Sequence, residues 1–137
     1  MKKIFIIAFL FFISGNSLFA QESDNNGNDK IRDKMTEFIQ RRMNLTKNEA
    51  ERFAPVFLRY FRDWRDAIQQ NRGDRLILQQ KIIELRLRYR EDFKVILGES
   101  RSNDIYKQQD IFMKELRTLK EERIESRANR RFRSIIQ

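Results

Sequence analysis

Helix-breaking residues are rare in this sequence: between residues 29 and 126 they are limited to Pro55, Gly73 and Gly98. A fold made of strands would need turn residues about every 8–12 positions, so this scarcity favours long helices. The stretch LRLRYR at 85–90 alternates like a strand, but the apolar spacing around it stays helical over about five turns. The sequence therefore predicts an all-α fold.

Four segments carry apolar residues at helical spacing, which predicts a four-helix elongated hairpin bundle. The second stripe alternates steps of four and three, a heptad-like seam that favours packing against a partner helix. The four stripes are Ile31, Met35, Phe38, Ile39 and Met43; Phe53, Phe57, Tyr60, Trp64, Ala67 and Ile68; Leu78, Ile82, Leu85, Tyr89, Phe93 and Ile96; and Ile105, Phe112, Leu116 and Leu119.

The segment LTKNEAERFAP, residues 45–55, predicts both a firm helix start and an interruption. Thr46 can accept a hydrogen bond from the backbone N–H of Glu49, while the Glu49 side chain accepts one from Thr46, which forms a capping box. Pro55 then falls about two and a half turns into the helix, where it removes a backbone hydrogen bond. We expect Pro55 to bend this helix around its neighbours; a proline tolerated without a functional bend is the alternative.

Both ends of the chain differ in composition from the helical domain at 29–126. Residues 1–20 contain a short basic start, an unbroken apolar run at 4–13 and a small polar exit, which is typical of a cleavable signal peptide and predicts a periplasmic protein. Residues 21–28 are polar and predict a flexible leader. The basic tail at 127–137 predicts a frayed end, with contact to an anionic membrane surface as the alternative.

Charge and residue types narrow the function. The chain has 29 Lys and Arg against 20 Asp and Glu, and it contains neither Cys nor His. It therefore lacks an ordinary general base near neutral pH, a thiolate nucleophile and the usual ligands of soft metals, and we expect no enzyme activity, no metal and no cofactor. For an exported basic protein, unfolded polypeptides with exposed carboxylates or anionic envelope surfaces are better partners than nucleic acid.

Two short segments resemble the motifs of the Spy/CpxP-like periplasmic proteins, a family known for LTxxQ motifs. Residues 45–49, LTKNE, are similar to the first motif, and the following AERFAPVFLRY resembles the form common in relatives from Bacteroidetes-type bacteria. Residues 97–101, LGESR, stand where the second motif belongs and keep only its leucine. The resemblance covers residues 31–125, and its motif and helix-capping residues are Leu45, Thr46, Glu49, Pro55, Leu97 and Gly98.

The resemblance implies a four-helix protomer that pairs into a curved, antiparallel, cradle-like homodimer. It also implies an ATP-independent chaperone that binds unfolded or misfolded envelope proteins, and this is the function we expect. The alternative is a periplasmic regulator that docks on a membrane partner of the envelope stress response, such as a sensor kinase or an anti-sigma factor. A metal-binding resistance protein is disfavoured, because metal-binding relatives use His-rich sites and this chain has no His.

A thin bundle of long hairpins cannot bury every apolar side chain, so some aromatic and Met side chains should face a partner helix or varied apolar clients. Arginines beside them would speed the capture of acidic segments. For each aromatic residue alone, a place in the core or in a dimer interface is an equally good interpretation. The predicted client-binding residues are Phe57, Phe61, Trp64, Arg65, Arg86, Arg88, Arg90, Tyr106 and Met113.

Overall fold

The computed structural model describes residues 22–136 and confirms an all-α bundle. Four long helices and one single helical turn follow one another in this range, which contains no strand. The elements are α1 (Glu22–Arg42), α2 (Lys47–Gln70), α3 (Arg75–Leu97), the single turn α4 (Glu99–Ser102) and α5 (Asp104–Ile136).

The two ends of the described chain differ from the sequence-based prediction. α1 already begins at Glu22, inside the predicted leader, and α5 continues to Ile136 through the predicted frayed tail. Extending an existing helix costs far less than starting one, so packed turns can carry helical structure into weakly patterned ends. The predicted signal peptide at 1–20 lies outside the described residues. None of the helices in the described range combines the length and apolar character needed to cross a membrane.

The capping box predicted at the start of α2 is present. The Glu49 backbone N–H donates to Thr46 Oγ1 over 3.2 Å, and the Thr46 N–H donates to Glu49 Oε2 over 3.0 Å. Asp74 caps α3, because its Oδ1 accepts hydrogen bonds from the N–H groups of Leu76 and Ile77. Side-chain caps of this kind satisfy N–H groups that have no partner within the first turn of a helix.

Pro55 lies inside α2, which is continuous from Lys47 to Gln70. Its side chain is on the exposed side of the helix. Glu51, whose carbonyl loses its usual donor at Pro55, is also exposed, so water can take the donor's place. This placement explains how the helix accommodates a proline, and the functional bend stays a prediction.

The core is built from aromatic rings of α2, α3 and α5. Phe53 of α2 lies 5.5 Å from Phe93 of α3 between ring centroids, and Tyr60 lies 5.4 Å from Tyr89 and 5.5 Å from Tyr106. Tilted and edge-to-face pairs of this kind are favourable beyond the area that they bury. The heptad-like seam of α2 therefore finds its partner helices within the same chain.

Residues 34–42 of α1 belong to the same compact unit as the later helices. Met35 and Ile39, one turn apart, are fully buried. Phe38 packs edge-on against Phe112 of α5, with 5.4 Å between the ring centroids. The predicted apolar face of the first helix is thus confirmed over these residues, and it contributes to the core beside α5.

Candidate functional site

The two motif segments meet in the folded chain. Arg101 donates one guanidinium N–H to Glu49 Oε1 over 2.7 Å and another to the Met43 carbonyl over 3.0 Å. Glu49 thus caps α2 with one carboxylate oxygen and holds Arg101 with the other. Two residues that are 52 positions apart, and that occupy equivalent places in the two motifs, are therefore joined by an ion pair. Leu45, at the head of the first motif, is half-buried.

Glu49 is held ionised by these contacts. Its pKa lies below the ordinary value of 4.5, first because the carboxylate accepts the Thr46 N–H and second because it accepts a hydrogen bond from Arg101. A glutamine at this place would have only one acceptor oxygen, since the other end of its amide is a donor. Glutamate therefore suits a position that accepts hydrogen bonds from both the Thr46 N–H and Arg101.

Gly98 ends α3 and begins the single turn α4. Its φ of +80° and ψ of 168° lie in a region that residues with a Cβ avoid, so this position requires glycine. The Gly98 N–H donates to the Lys94 carbonyl over 2.9 Å and closes α3. Leu97 before it is buried, and so is Ser102, whose hydroxyl donates to the Glu99 carbonyl over 2.9 Å. The second motif position is therefore a packed corner.

Three aromatic residues predicted to bind clients belong to the core. Phe57 is fully buried, and Phe61 and Tyr106 expose no more than 8% of their surface. Tyr106 also donates its hydroxyl to the Arg86 carbonyl over 2.7 Å, which fixes its ring between α3 and α5. This corrects the sequence-based assignment, because side chains covered by their own chain cannot form an exposed client-binding surface.

A polar pair lies within the aromatic core. Tyr60 donates its hydroxyl to Gln109 Oε1 over 2.6 Å, and both side chains are fully buried. Burial raises the pKa of the Tyr60 hydroxyl, so this group stays a neutral donor. Gln109 Nε2 has no hydrogen-bond partner among the described residues. The pair ties α2 to α5 and is not accessible from the surface.

Arg86 links α3 to α5. Its guanidinium bonds the Asp110 carboxylate at 2.6 Å, donates to Gln109 Oε1 over 3.4 Å and lies 5.3 Å from the centroid of the Tyr106 ring. The charge of Arg86 is thus paired with Asp110 within the bundle, and its role in attracting acidic client segments stays a prediction.

Arg65, Arg88 and Arg90 remain at least partly accessible. Arg88 is exposed and contacts the Asp63 carboxylate at 3.4 Å. Arg65 and Arg90 are half-buried, and Arg90 Nε lies 3.6 Å from the Glu91 carboxylate. The contact of Arg88 is a loose surface pair, which stabilises a protein little, so the Arg88 side chain can turn toward a partner at small cost.

Trp64 and Met113 are the two apolar side chains of the predicted set that are half-buried. Trp64 follows Phe61 by one turn, with 5.6 Å between the ring centroids, and so borders the aromatic core. Met113 follows Phe112, whose ring packs on α1. Both side chains lie at the margin of the core, where a partner can reach one side of each.

Sequence reasoning missed an apolar surface along α3. Leu76, Ile83 and Leu87 expose 76, 58 and 50% of their surface, although each is a large apolar residue. Spacings of seven and four residues place the three on one line along the helix, on the side opposite the buried Leu85. This line of Leu76, Ile83 and Leu87 is named the α3 outer stripe.

An open cleft of about 590 Å³ lies where α2 ends and α3 begins. Its walls carry charges of both signs, including Asp63, Glu84, Lys81 and Arg88. Lys81 binds Glu84 within α3 at 3.1 Å, and Arg88 of α3 contacts Asp63 of α2 at 3.4 Å, so these four charges are paired. Within residues 22–136, no group of three or more His, Cys, Asp or Glu side chains is placed to hold a metal ion.

The surfaces open to a partner include the α3 outer stripe, the core margin at Trp64 and Met113, and the charged cleft between α2 and α3. The first two offer apolar contact, and the third offers paired charge. Comparison of the chain with protein-family models, with curated proteins and with solved structures found no match.

Proposed function

We propose that the chain is an ATP-independent chaperone that binds unfolded or misfolded polypeptides in the periplasm. The observation that carries the proposal is the α3 outer stripe, whose large apolar side chains are exposed to water on a helix that packs into the bundle through its other face. An apolar line on the solvent side of a helix favours binding to another apolar segment.

The stripe suits clients of varied sequence. Aliphatic contacts are non-directional and depend on the apolar area removed from water, so they require no particular residue in the client. Leu76, Ile83 and Leu87 together offer a small area, and small interfaces are weak and transient. Weak, reversible capture lets a client leave and fold without a nucleotide-driven step.

Positive charge supports the capture step. The chain has 29 Lys and Arg against 20 Asp and Glu. Arg88 follows the stripe residue Leu87 directly and is held only loosely by Asp63. Charge of this kind speeds the encounter with acidic segments, while apolar contact determines how long the complex lasts.

The resemblance to the Spy/CpxP-like family supports the same function and adds export and a homodimer to the proposal. Because the α2 seam is filled by α3 and α5, a homodimer has to form through another surface. The core margin at Trp64 and Met113 and the α3 outer stripe are two apolar candidates. Sedimentation velocity at micromolar concentration measures whether the purified protein is dimeric.

Removal of the stripe tests the chaperone proposal. The double variant Ile83→Ser with Leu87→Ser should lose most of its ability to slow the aggregation of several unrelated, chemically unfolded clients without nucleotide, measured by light scattering. The matched control is Leu58→Ser, because Leu58 of α2 exposes 42% of its surface, close to the 50% of Leu87, but lies outside the stripe. Circular dichroism should show intact helices in both variants.

Equal protection by the stripe variant and the Leu58→Ser control would remove the stripe from the proposal. If the wild-type protein protects none of the clients, the chaperone function is wrong, and a defined complex with one envelope-stress partner would identify a regulator. Added salt should slow only the capture of acidic clients, since charge acts over about 8 Å at physiological ionic strength while apolar contact persists.

A further inference from the structure

The last part of α5 carries a second surface, separate from the α3 outer stripe. From residue 117 to residue 135 every side chain is exposed. Residues 123–135 contain five arginines and one glutamate, together with the large apolar residues Ile124, Phe132 and Ile135. Phe132 and Ile135 expose 67 and 81% of their surface. A role in the core of the bundle therefore does not explain why these apolar residues are present.

Helical periodicity separates the two kinds of residue. At 3.6 residues per turn, Ile124, Ala128, Phe132 and Ile135 fall within an arc of about 80° around the helix. All five arginines fall outside that arc, within about 160°, and Arg131 lies about 20° from its edge at Ile124. No ion pair joins any of these arginines to a carboxylate of the described residues. The arginines are Arg123, Arg127, Arg130, Arg131 and Arg133.

This apolar line does not continue the face by which α5 packs into the bundle. Ile105 and Gln109 are buried, and Phe112 packs on α1. Three turns further along α5, the line through these three residues reaches Arg123. The line that contains Phe132 is rotated by about 120° from it. The neighbours that cover the first half of α5 therefore cannot cover the second half.

We propose that residues 123–136 bind the surface of an anionic lipid bilayer. The helix would lie in the plane of the interface, with Phe132 and Ile135 at the depth of the acyl-chain boundary and the arginines toward the lipid phosphates. A basic helix with a narrow apolar stripe is the chemistry that such a surface selects. A second copy of the chain fits less well, because two copies paired along the apolar line of α5 would bring ten arginines together with two glutamates.

Vesicle co-sedimentation of the purified protein tests this inference. We expect binding to vesicles that contain phosphatidylglycerol and none to vesicles of phosphatidylcholine alone. Phe132→Ser with Ile135→Ser keeps every charge but should weaken binding at least about tenfold. The control Leu58→Ser removes an exposed leucine of α2 and should bind as the wild type does.

A charge series completes the test. Arg130→Gln with Arg133→Gln should weaken binding to the anionic vesicles, whereas Arg62→Gln, at an arginine of α2 that exposes 71% of its side chain, should have little effect. Absence of binding to anionic vesicles would overturn the proposal, as would equal loss in Leu58→Ser. A change of oligomeric mass in the Phe132/Ile135 variant, measured by sedimentation without lipid, would overturn it in favour of a second copy. Each readout is independent of client protection.

Discussion

The first half of α5 packs into the bundle, whereas the second half of the same continuous helix is exposed. In the first half, Ile105, Tyr106 and Gln109 are buried, and Tyr60 of α2 donates a hydrogen bond to Gln109. In the second half, from residue 117 to residue 135, every side chain is exposed. Both halves have the same helical backbone, so the difference lies in where their apolar residues fall around the helix.

Helix formation and tertiary stabilisation are therefore separate properties of this chain. The first half gains its stability from packing, whereas the second half lacks the tertiary packing that supplies most of the stability of helices in proteins. Continuation from packed turns lowers the cost of forming the second half, but it adds no buried area. We accordingly expect the second half to open locally at low free energy unless a partner covers it.

The largest expected effect comes from comparing Phe93, in the packed core, with Phe132, in the exposed half of α5. Phe93 is fully buried and contacts the Tyr60 and Tyr106 rings, while Phe132 exposes 67% of its surface. Phe93→Ala should lower the free energy of unfolding by about 3–5 kcal/mol, because it removes buried contacts and leaves a cavity. Phe132→Ala should change it by less than about 0.5 kcal/mol. Urea unfolding of both variants measures the difference.

Vesicle binding is the complementary readout for the same pair. Phe132→Ala should weaken binding to anionic vesicles while the bundle stays as stable as the wild type. A large loss of stability in Phe132→Ala would show that the second half of α5 is packed in solution. In that case the distinction between the two halves would be wrong.

Much of the fold is predictable from the sequence because apolar spacing reports which helix faces are buried. The stripes of α2 and α3 predict their buried faces, and Thr46 and Asp74 mark the helix starts through their side-chain caps. The partner of the α2 seam is not predictable in this way. A heptad-like stripe fits a helix of the same chain or of a second chain equally well, and only the tertiary structure distinguishes them.

The candidate site was less predictable, for two reasons. α2 contacts more than one neighbouring helix, so its buried face is wider than a single seam and includes Phe57 and Phe61 together. α3 carries two apolar lines: the longer stripe through Leu85 and Phe93, and the shorter line of Leu76, Ile83 and Leu87. The spacing of seven and four residues in the shorter line is also visible in the sequence. Periodicity identifies apolar lines but does not tell which of two lines remains uncovered.

A capping change should give a smaller effect and should act on the packed region. Thr46→Ala removes the side chain that accepts the Glu49 N–H at 3.2 Å and should lower the free energy of unfolding by about 0.5–2 kcal/mol. Thr46→Ser keeps an acceptor at the same place and serves as the matched control. Thermal unfolding followed by circular dichroism measures both variants. An equal loss in the two variants would mean that the methyl group, not the cap, stabilises this position.

The smallest expected effect depends on pH and concerns the ion pair between Glu49 and Arg101. Hydrogen bonds from Thr46 and Arg101 hold the pKa of Glu49 below its ordinary value of 4.5. A carboxyl group whose pKa is lower in the folded state stabilises the fold above its unfolded pKa. That contribution is lost as the pH falls through the folded pKa. Protonation of Glu49 in acid should therefore lower the free energy of unfolding.

Glu49→Gln separates this contribution from other acid effects. The variant keeps one acceptor oxygen for the cap but cannot titrate, so its stability should fall less than that of the wild type between neutral pH and about pH 3. Glu84→Gln is the control, since the pKa of Glu84 is also lowered, but by Gln80 and Lys81 of the same exposed helix face. The Glu84 contacts lie within one helix, whereas the Glu49 contact to Arg101 joins residues that are 52 positions apart. If the two variants show the same pH dependence in urea unfolding, the ion pair between the motif segments contributes no more than a surface contact.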